Sequence, residues 1–537
     1  MQNVIEAVSA VYKKAHDNLK AKVVVGGRLK GNLLNDEQLA AHALAYLATE
    51  LEACRQLSAW AETVGGEFEG KVARAYIGEL ARNLRGGVDL GACENIALAD
   101  LGITDADLAD SLLHPDVQAF SAQHATGAIY LEIAQHARDN GFGDPGLGDE
   151  MLEEIRAQFA KFTDQKVIPI AQDVHRQDKL IPMEILEQLA ELGVFGLTIP
   201  EEYGGLGLSK VAMCVVTEEL SRGYIGVGSL GTRSEIAAEL IIGGGTEEQK
   251  QEWLPKLASG EVLSTAVFTE PNNGSDLANL TTRAVKQEDG SYVVSGAKTW
   301  ITHAVRADVM TLLARTNPDA PGYQGLSMFL AKKTRLSGEP GEPEFVDKGL
   351  TGTEIKVLGY RGMKEYELSF DGFTVPGANL LGGEEGAGFK QLMRTFESAR
   401  IQTAARGVGV AQAALNDAIL YATEREQFGG PIFQFPRVAR KIGRMVTRIQ
   451  AARQLTYFSA REKDQEKRCD LEAGMAKLLA TRAAWESADA NVQIHGGNGF
   501  AEEYTASRLL VDSRVLSIFE GANEIQAHVV ARRLLED

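Results

Sequence analysis

The sequence predicts an α+β fold in which long helical segments flank one small β region. Apolar residues recur at spacings of three and four over most of the first 262 residues and again after Gly388, as helices with one buried face require. Between these segments the period changes to two, as in strands with one buried face. At 537 residues the chain is too long for one core, since domains usually hold about 100 to 200 residues, so three or four compact parts are expected.

The first 140 residues predict a small helical bundle. In DEQLAAHALAYLATELEACRQLSAWAETV, apolar residues follow at helical spacing after an Asn35-Asp36 cap. The run DNGFGDPGLGDE (139–150) is rich in Gly and Asp and breaks this pattern, which makes it the best linker candidate. We therefore predict a helical N-terminal extension over residues 1–145.

Three further domains are predicted along the rest of the chain. Amphipathic stretches such as EMLEEIRAQFAKFTDQKV predict a helical domain over residues 146–262. A β-domain over residues 263–385 is predicted from five strand-like runs: STAVFTE, SYVVSGAKTWIT, DVMTLLART, LSMFLAKK and YELSFDGFTVP. Long apolar helices such as FESARIQTAARGVGVAQAALNDAILYATERE predict a bundle over residues 386–537 that also makes subunit contacts.

Composition narrows the classes of partner. The formal charge is −19, from 55 Lys and Arg against 74 Asp and Glu, which repels nucleic acid and anionic membranes over most of the surface. Any anionic ligand therefore needs a local basic pocket. No stretch approaches the roughly 20 apolar residues that span a bilayer, and the first residues lack the apolar core of an export signal. A reducing cytoplasm and no bound metal are expected, since the four cysteines form no C-x-x-C pair: Cys54, Cys93, Cys214 and Cys469.

The sequence contains two candidate ligand segments in the β-domain. It lacks the G-x-x-x-x-G-K-[ST] motif of phosphate loops, the H-E-x-x-H motif of zinc hydrolases and a Rossmann G-x-G-x-x-G after a strand. The turn FTEPNNGSD (268–276) exposes small hydroxyl and amide groups and backbone N–H donors, although such turns are also ordinary loop punctuation. The run KTWIT ends a strand, and its Trp300 is either a core residue or part of a ligand site.

A third candidate is Glu520, a lone carboxylate between apolar residues and a glycine in RVLSIFEGA (514–522). Loss of solvent at such a position favours the protonated form of a carboxyl group. A glutamate beside glycine at a helix junction is more commonly a solvated or capping residue. The residue pattern alone leaves both interpretations open.

Six motifs occur in order from about residue 150 to the C-terminus: FTEPNNGSD, KTWIT, GYRGMKEYELSFDGFTVP, YATEREQFGGPI, VQIHGGNGF and SIFEGANEIQ. Together they resemble the acyl-CoA dehydrogenase family. The resemblance implies a helical domain, a small β-barrel-like domain and a C-terminal four-helix bundle around one FAD, in a homodimer or a dimer of dimers. The N-terminal helical extension is additional to this pattern.

The resemblance also assigns the FAD contacts. Those in the β-domain, which would face the isoalloxazine ring or its phosphates, are Phe268, Thr269, Ser275, Trp300 and Thr302. Two residues of the bundle, Arg425 and Phe428, would reach the flavin of a neighbouring subunit. Three more would lie near the diphosphate and adenosine of FAD: Gln493, Gly496 and Gly497. An arginine fork suits a diphosphate well.

On the substrate side, the resemblance assigns Glu520 as the base that takes the α-proton. Some members carry this base at the position of Ala399, whose side chain cannot accept a proton, so Glu520 would act alone. The expected acyl-CoA contacts are Ser275, Arg400, Gly521 and Arg233. Arg233 is predicted to meet a second carboxylate of the substrate, because a buried carboxylate without a cation is costly. The alternatives are an exposed helix arginine or a pair with Glu235.

The sequence departs from the family pattern at Ala522, where Thr is usual after Glu-Gly, at Pro436, where Gln is usual, and in its extension. The extension narrows the resemblance to members that oxidise a short-chain branched acyl-CoA, (2S)-methylsuccinyl-CoA, to mesaconyl-CoA. We expect it to add packing at the subunit interface rather than to dock a partner. Electron-transfer flavoprotein is the expected acceptor. The alternatives are an acyl-CoA oxidase or flavin monooxygenase on the same fold, or a non-catalytic assembly factor.

Overall fold

The structure is a computed structural model that describes residues 1–91 and 94–536. It separates into two compact units, one formed by the chain before residue 155 together with the chain from residue 403 onward, the other by residues 155–402. Helices precede and follow a seven-stranded sheet, so the predicted α+β fold is confirmed. The predicted boundaries near residues 145, 262 and 385 fall between elements, and the division into four domains stays a prediction.

The N-terminal extension is helical except for two short hairpins, which the helical periodicity did not predict. Its elements are α1 (Gln2–Val23), β1 (Val24–Val25), β2 (Arg28–Leu29), α2 (Gly31–Asp36), α3 (Gln38–Val64), α4 (Glu67–Asn83), β3 (Val88–Gly91), β4 (Glu94–Ile96), α5 (Asp105–Ala109), α6 (Pro115–His124) and α7 (Gly127–Asn140). Gly26 and Gly27 both have positive φ and join β1 to β2, the geometry of a two-residue hairpin turn. The predicted Asn35-Asp36 cap is wrong, because both residues belong to α2 and the N-cap of α3 is Glu37.

Six helices follow before the sheet. They are α8 (Glu150–Phe162), α9 (Ile168–Arg176), α10 (Met183–Glu191), α11 (Lys210–Gly223), α12 (Ile225–Gly244) and α13 (Glu247–Ala258). Helix α12 is buried along almost its whole length, and its apolar residues share one core with strands of the sheet. A charged residue in α12 is therefore held inside this unit.

The seven strands form one mixed sheet in the order β10-β11-β7-β6-β8-β5, with β9 paired to β8. They are β5 (Ser264–Val267), β6 (Arg283–Lys286), β7 (Tyr292–Thr302), β8 (Val309–Arg315), β9 (Leu326–Lys332), β10 (Leu350–Ile355) and β11 (Glu365–Val375). The sequence predicted five of these and missed β6 and β10. Each of the two buries a single residue fully, so neither shows a strong apolar alternation.

The C-terminal part contains three long helices, two shorter ones and a small hairpin. They are α14 (Gly388–Glu424), β12 (Glu426–Gln427), β13 (Gly430–Pro431), α15 (Pro436–Asp464), α16 (Asp470–His495), α17 (Thr505–Val515) and α18 (Asn523–Glu536). Helices α3, α4 and α7 of the extension pack on α15, and α3 also contacts α16 and α18. The extension therefore packs against the C-terminal helices of its own chain.

The predicted linker between α7 and α8 is tied to this assembly. The Trp60 indole N–H donates to the Asp144 carbonyl at 3.0 Å, and the Asp144 N–H donates to the Glu69 carboxylate at 3.1 Å. The Gln454 side chain in α15 donates to the Pro145 carbonyl at 2.8 Å. Hydrogen bonds therefore hold this segment against helices α3, α4 and α15.

Cys54, Cys214 and Cys469 are buried free thiols, and Cys93 lies outside the described residues. Within the described ranges, no helix has the length and apolarity that crossing a membrane requires. Over the same residues, no cluster of three or more His, Cys, Asp and Glu side chains has an arrangement that could hold a metal ion.

Candidate active site

The end of β7 is shaped by a β-bulge. Ile301 pairs with Tyr366 and Lys298 with Leu368, so two residues of β7 lie opposite one residue of β11. Within the bulge Trp300 has φ of +59° and a side chain that is 56% exposed. Bulges commonly turn a side chain away from its regular direction. The core interpretation of Trp300 is therefore wrong, and its ring is open to an aromatic ligand.

The turn 268–276 is fixed against the same strand. The Thr299 N–H donates to the Thr269 carbonyl at 2.9 Å, and the fully buried Lys298 ammonium donates to the Phe268 carbonyl at 2.8 Å and contacts Glu270 at 3.2 Å. Burial alone would raise the pKa of Glu270, but Lys298 and hydrogen bonds from residues 281 and 282 lower it to about 2. Ser275, near the end of this anchored turn, is exposed.

Arg233 is inside the unit, where α12 meets the start of β5. It is 8% exposed, and its carbonyl accepts a hydrogen bond from the Ser264 hydroxyl at 2.8 Å. The Glu235 carboxylate accepts a hydrogen bond from Thr198 at 2.6 Å and pairs with Lys210. The exposed-arginine interpretation is therefore wrong.

His303, directly after β7, lies within electrostatic reach of Arg233. Burial, followed by the Arg306 and Arg233 charges, lowers the pKa of His303 to about 3. The imidazole is thus neutral at physiological pH, and neither of its buried ring nitrogens has a hydrogen-bond partner among the described residues. A buried cation and a neutral imidazole consequently lie near the strand end that carries Thr302.

Arg400 lies on α14, one helical turn after Phe396. It is 9% exposed, and its guanidinium carbon is 5.8 Å from the Phe396 ring centroid. The Phe396 ring in turn meets Phe268 edge-on, with centroids 6.5 Å apart. Two of the predicted site residues, Arg400 and Phe268, therefore both contact the Phe396 ring.

In the other unit, the five predicted FAD contacts lie in the hairpin region after α14 and around the end of α16. The Tyr421 ring, near the end of α14, stacks on His495 with centroids 3.9 Å apart, and its hydroxyl accepts a hydrogen bond from Asn498 at 3.0 Å. These contacts join the end of α14, which directly precedes the β12–β13 hairpin, to the end of α16 and the loop after it. The predicted residues in these two places are all exposed: Arg425, Phe428, Gln493, Gly496 and Gly497.

Glu520 lies in the loop between α17 and α18, with φ of +54°, and is followed by Gly521 at +92°. The Lys477 ammonium from α16 donates to the Gly521 carbonyl at 2.6 Å and holds this unusual backbone in place. The Glu520 side chain is 12% exposed. The solvated interpretation of Glu520 is therefore wrong, and the carboxylate is largely enclosed.

Two buried cations beside this loop were missed from the sequence. Arg406 of α14 is fully buried and places Nη2 3.9 Å from Oε1 of Glu520, and Lys477 is also fully buried. Each stands alone in an apolar helical stretch, AARGVGVAQ and GMAKLLA. Because charged residues are rarely buried without a partner, a lone charge on an apolar helix face was the available signal.

Comparison with known proteins identifies the family. Residues 149–261, 265–373 and 386–535 match the N-terminal, middle and C-terminal domains of acyl-CoA dehydrogenase. The chain is 57% identical to the (2S)-methylsuccinyl-CoA dehydrogenase of Cereibacter sphaeroides over 545 aligned positions, which cover 99% of this chain and 97% of that protein. The chain belongs to the acyl-CoA dehydrogenase family. The resemblance inferred from the six motifs is confirmed.

Solved structures extend this result. The butyryl-CoA dehydrogenase of Megasphaera elsdenii is 33% identical with a TM-score of 0.67, and the match covers 72% of this chain and 98% of that one. A chain in a structure of the electron transferring flavoprotein of Acidaminococcus fermentans is also 33% identical, with a TM-score of 0.66 and coverage of 72% and 99%. The Cereibacter sphaeroides relative matches the extension as well, since that alignment spans nearly the whole chain.

As an acyl-CoA dehydrogenase, the chain is an oxidoreductase of a flavoprotein family, and the exposed residues on each unit suit FAD. Trp300 offers an open aromatic face, and the turn 271–276 offers hydroxyl and N–H donors for phosphate oxygens. A Cβ added at Gly496 or Gly497 would meet no atom within 4 Å, which leaves room for a ligand beside that loop. The donor chemistry therefore fits the cofactor.

Proposed function

We propose that this chain is an FAD-dependent dehydrogenase that oxidises (2S)-methylsuccinyl-CoA to mesaconyl-CoA. The observation that carries the reaction type is Glu520, an enclosed carboxylate in a turn held by Lys477 within an acyl-CoA dehydrogenase chain. The identity of the Cereibacter sphaeroides relative supports the acyl group. The buried charge of Arg233 supports a substrate with a second carboxylate.

In the proposed reaction Glu520 removes the α-proton of the thioester. That proton is weakly acidic, so its removal needs a positioned base and a donor for the developing enolate oxygen. The Glu520 carboxylate is the base, and the backbone N–H of Glu520 is the donor that the family resemblance implies. FAD, when bound, accepts the hydride that leaves the β-carbon.

The second carboxylate of the substrate would meet Arg233. Burying a carboxylate without a cation costs several kcal/mol, so a neutral acyl pocket would reject this substrate. Arg233 offers a guanidinium fork, and the neutral imidazole of His303 offers one N–H donor. We propose that these two groups select a dicarboxylic acyl chain.

The decisive experiment compares Arg233→Ala with wild type on methylsuccinyl-CoA and on an uncharged branched acyl-CoA of similar size, following flavin absorbance without oxygen. Transition-state stabilisation for methylsuccinyl-CoA should fall by roughly 2–5 kcal/mol, as for a truncated buried charge pair, with a smaller effect on the neutral substrate. Arg222→Ala is the control, because that arginine of α11 pairs with Asp164 and Glu219. Equal losses on both substrates would reject Arg233 as the carboxylate site.

The same assay tests the acceptor. We propose electron-transfer flavoprotein, which the family resemblance and the similarity to the Acidaminococcus fermentans chain support. Reduced protein should be reoxidised rapidly by this flavoprotein and slowly by air. Rapid reoxidation by oxygen would instead indicate an oxidase or monooxygenase, and no flavin reduction by any acyl-CoA would indicate a non-catalytic protein.

A further inference from the structure

A cleft with a basic lining lies in the unit that contains both chain ends. It has a volume of about 570 Å³ and is bounded by the end of α4 with the turn 84–86, by α6, by the start of α7 and by α15. Among the described residues, the charged side chains that line it are all arginines: Arg82, Arg85 and Arg440. Because the whole chain carries a formal charge of −19, this local excess of positive charge favours an anionic ligand.

Two of these arginines, Arg85 and Arg440, have no carboxylate within ion-pair distance in the described parts of the chain. The Arg85 Nε donates to the Arg82 carbonyl at 3.2 Å. The guanidinium carbon of Arg440 lies 5.6 Å from the centroid of the Tyr130 ring. Arg82, in contrast, places Nη2 3.6 Å from Oε1 of Glu79. The charges of Arg85 and Arg440 are therefore available to an anion in the cleft.

A buried hydroxyl group gives independent evidence for a ligand. Ser121 of α6 lines the same cleft and is 3% exposed, and its Oγ has no hydrogen-bond partner among the described residues. A buried hydroxyl that makes no hydrogen bond is destabilising, so such groups are uncommon in folded proteins. An oxygen atom of a ligand in the cleft would accept a hydrogen bond from this hydroxyl.

The N-terminus of α7 adds a third feature that favours an anion. Thr126 is the N-cap of this helix of 14 residues, and its hydroxyl accepts a hydrogen bond from the Ile129 N–H at 3.4 Å. Thr126 and Gly127 both line the cleft, and a Cβ added at Gly127 would meet no atom within 4 Å. Helix N-termini carry partial positive charge and N–H groups without an acceptor in the helix. The positive end of α7 and the two arginines therefore meet at one open place.

This combination of donors suits a phosphate group. A phosphate monoester offers three terminal oxygen atoms, which guanidinium forks, a hydroxyl and helix N–H groups bind well. The cleft has room for more than a bare phosphate, since its volume is in the range of small-molecule sites. Three of its lining residues, Ala119, Ala122 and Ala125, offer methyl groups to a carbon skeleton.

We propose that this cleft binds the phosphate group of a small, soluble phosphate ester. Arg85 and Arg440 pair with the phosphate, and the Ser121 hydroxyl donates to one of its oxygen atoms. None of these residues belongs to the candidate active site, so this inference does not depend on the proposed function. A ligand held there would contact both the extension and α15, and it would therefore stabilise their packing.

Calorimetric titration of the full-length, FAD-loaded protein in phosphate-free buffer is the first test. Ribose 5-phosphate and glycerol 3-phosphate are the probes, and ribose, glycerol and inorganic phosphate are their controls. We expect both esters to bind, inorganic phosphate to bind more weakly and the two uncharged compounds not to bind. Absence of binding by both esters would overturn the proposal. Equal affinity for inorganic phosphate would also overturn it, because the carbon skeleton would then contribute nothing.

Charge variants locate the binding. Arg85→Gln and Arg440→Gln should each weaken the binding of the esters about tenfold, since each removes a charge-assisted contact. Arg437→Gln is the matched control, because it removes an exposed arginine from the same helix as Arg440 and does not line the cleft. Equal weakening in all three variants would contradict the proposal and indicate a general effect of net charge. Sedimentation with vesicles that contain phosphatidic acid, lost in Arg85→Gln, would instead indicate a membrane ligand and overturn the small-molecule assignment.

Ser121→Ala separates a ligand contact from a structural role, and it does so even if an arginine variant fails to fold. The hydroxyl has no partner in the free protein, so its removal should not lower the thermal midpoint without ligand. Ribose 5-phosphate should raise the midpoint of wild type by mass action and raise that of Ser121→Ala by less. The same ligand-induced rise in both proteins would overturn the role of Ser121.

Discussion

Two clusters in the unit that contains both chain ends bring carboxylates to buried arginines, and they are built differently. Where the extension meets the C-terminal helices, the Glu50 carboxylate accepts hydrogen bonds from Tyr76 at 2.5 Å, Arg482 at 3.0 Å and Arg448 at 3.3 Å. At the α17–α18 loop, Glu520 faces its arginine at 3.9 Å. Glu50 joins side chains of three packed helices, α4, α15 and α16, whereas Glu520 lies in a loop.

The difference separates a structural carboxylate from one that can act as a base. Glu50 is 5% exposed, and both of its oxygens accept hydrogen bonds from side chains of other helices. Glu520 is 12% exposed and lies in a loop rather than on a helix face. Burial beside an arginine therefore does not by itself indicate catalysis.

The largest expected effect is on Glu520. Glu520→Gln keeps the shape of the side chain and removes the base, so flavin reduction by acyl-CoA should slow by about 10²- to 10⁴-fold while FAD content and thermal stability stay near wild type. Glu524→Gln is the matched control, since it changes an exposed glutamate four residues away. Reduction of Glu520→Gln at the wild-type rate would show that the base lies elsewhere.

Substitutions in the Glu50 cluster should instead lower the stability of the folded protein. Arg448 also reaches the Glu79 carboxylate at 3.4 Å, so Arg448→Met leaves two buried carboxylates with fewer cations. The free energy of unfolding should fall by about 3–5 kcal/mol, as when one partner of a buried pair is removed. Arg440→Met, on an exposed face of the same helix, should have a small effect.

The pH dependence of the stability difference between wild type and Arg448→Met tests whether that difference is electrostatic. Burial would raise the pKa of Glu79, but Arg448 and Arg444 hold it below its ordinary value. A lowered folded-state pKa contributes stability above the unfolded-state pKa, and that contribution is lost as the pH falls through the folded-state value. The gap between wild type and Arg448→Met, measured by denaturant unfolding, should therefore narrow in acid. A gap independent of pH would mean that Arg448 contributes packing alone.

The smallest expected effect extends the comparison to an exposed arginine. Arg425→Ala should weaken FAD retention about tenfold, because a charge-assisted contact to the diphosphate would be lost, and it should leave the free energy of unfolding of the apoprotein unchanged. FAD retention is measured as cofactor content after gel filtration at two protein concentrations. The control is Arg437→Ala, which changes an exposed arginine in the first turn of α15. Equal retention in both variants would make Arg425 an ordinary surface charge.

The two missed strands of the sheet and the missed hairpins show where local patterns lose information. Strands β6 and β10 bury too few residues to show alternation, and the hairpin at Gly26-Gly27 is too short to interrupt a helical period. The long helices were predictable because each repeats its apolar spacing over several turns. Glu520 was predictable as a candidate because an isolated carboxylate stood next to glycine in an apolar run.

The sequence by itself determined the α+β class, the acyl-CoA dehydrogenase family and the candidate base, since periodicity and motifs are local properties of the chain. Tertiary structure decided that Trp300 is exposed, because that depends on how two strands pair around a bulge. It also decided that Arg406 meets Glu520 and that Lys477 holds the following glycine. Such long-range pairs arise when helices pack, and no residue's sequence neighbours encode which distant group it will contact.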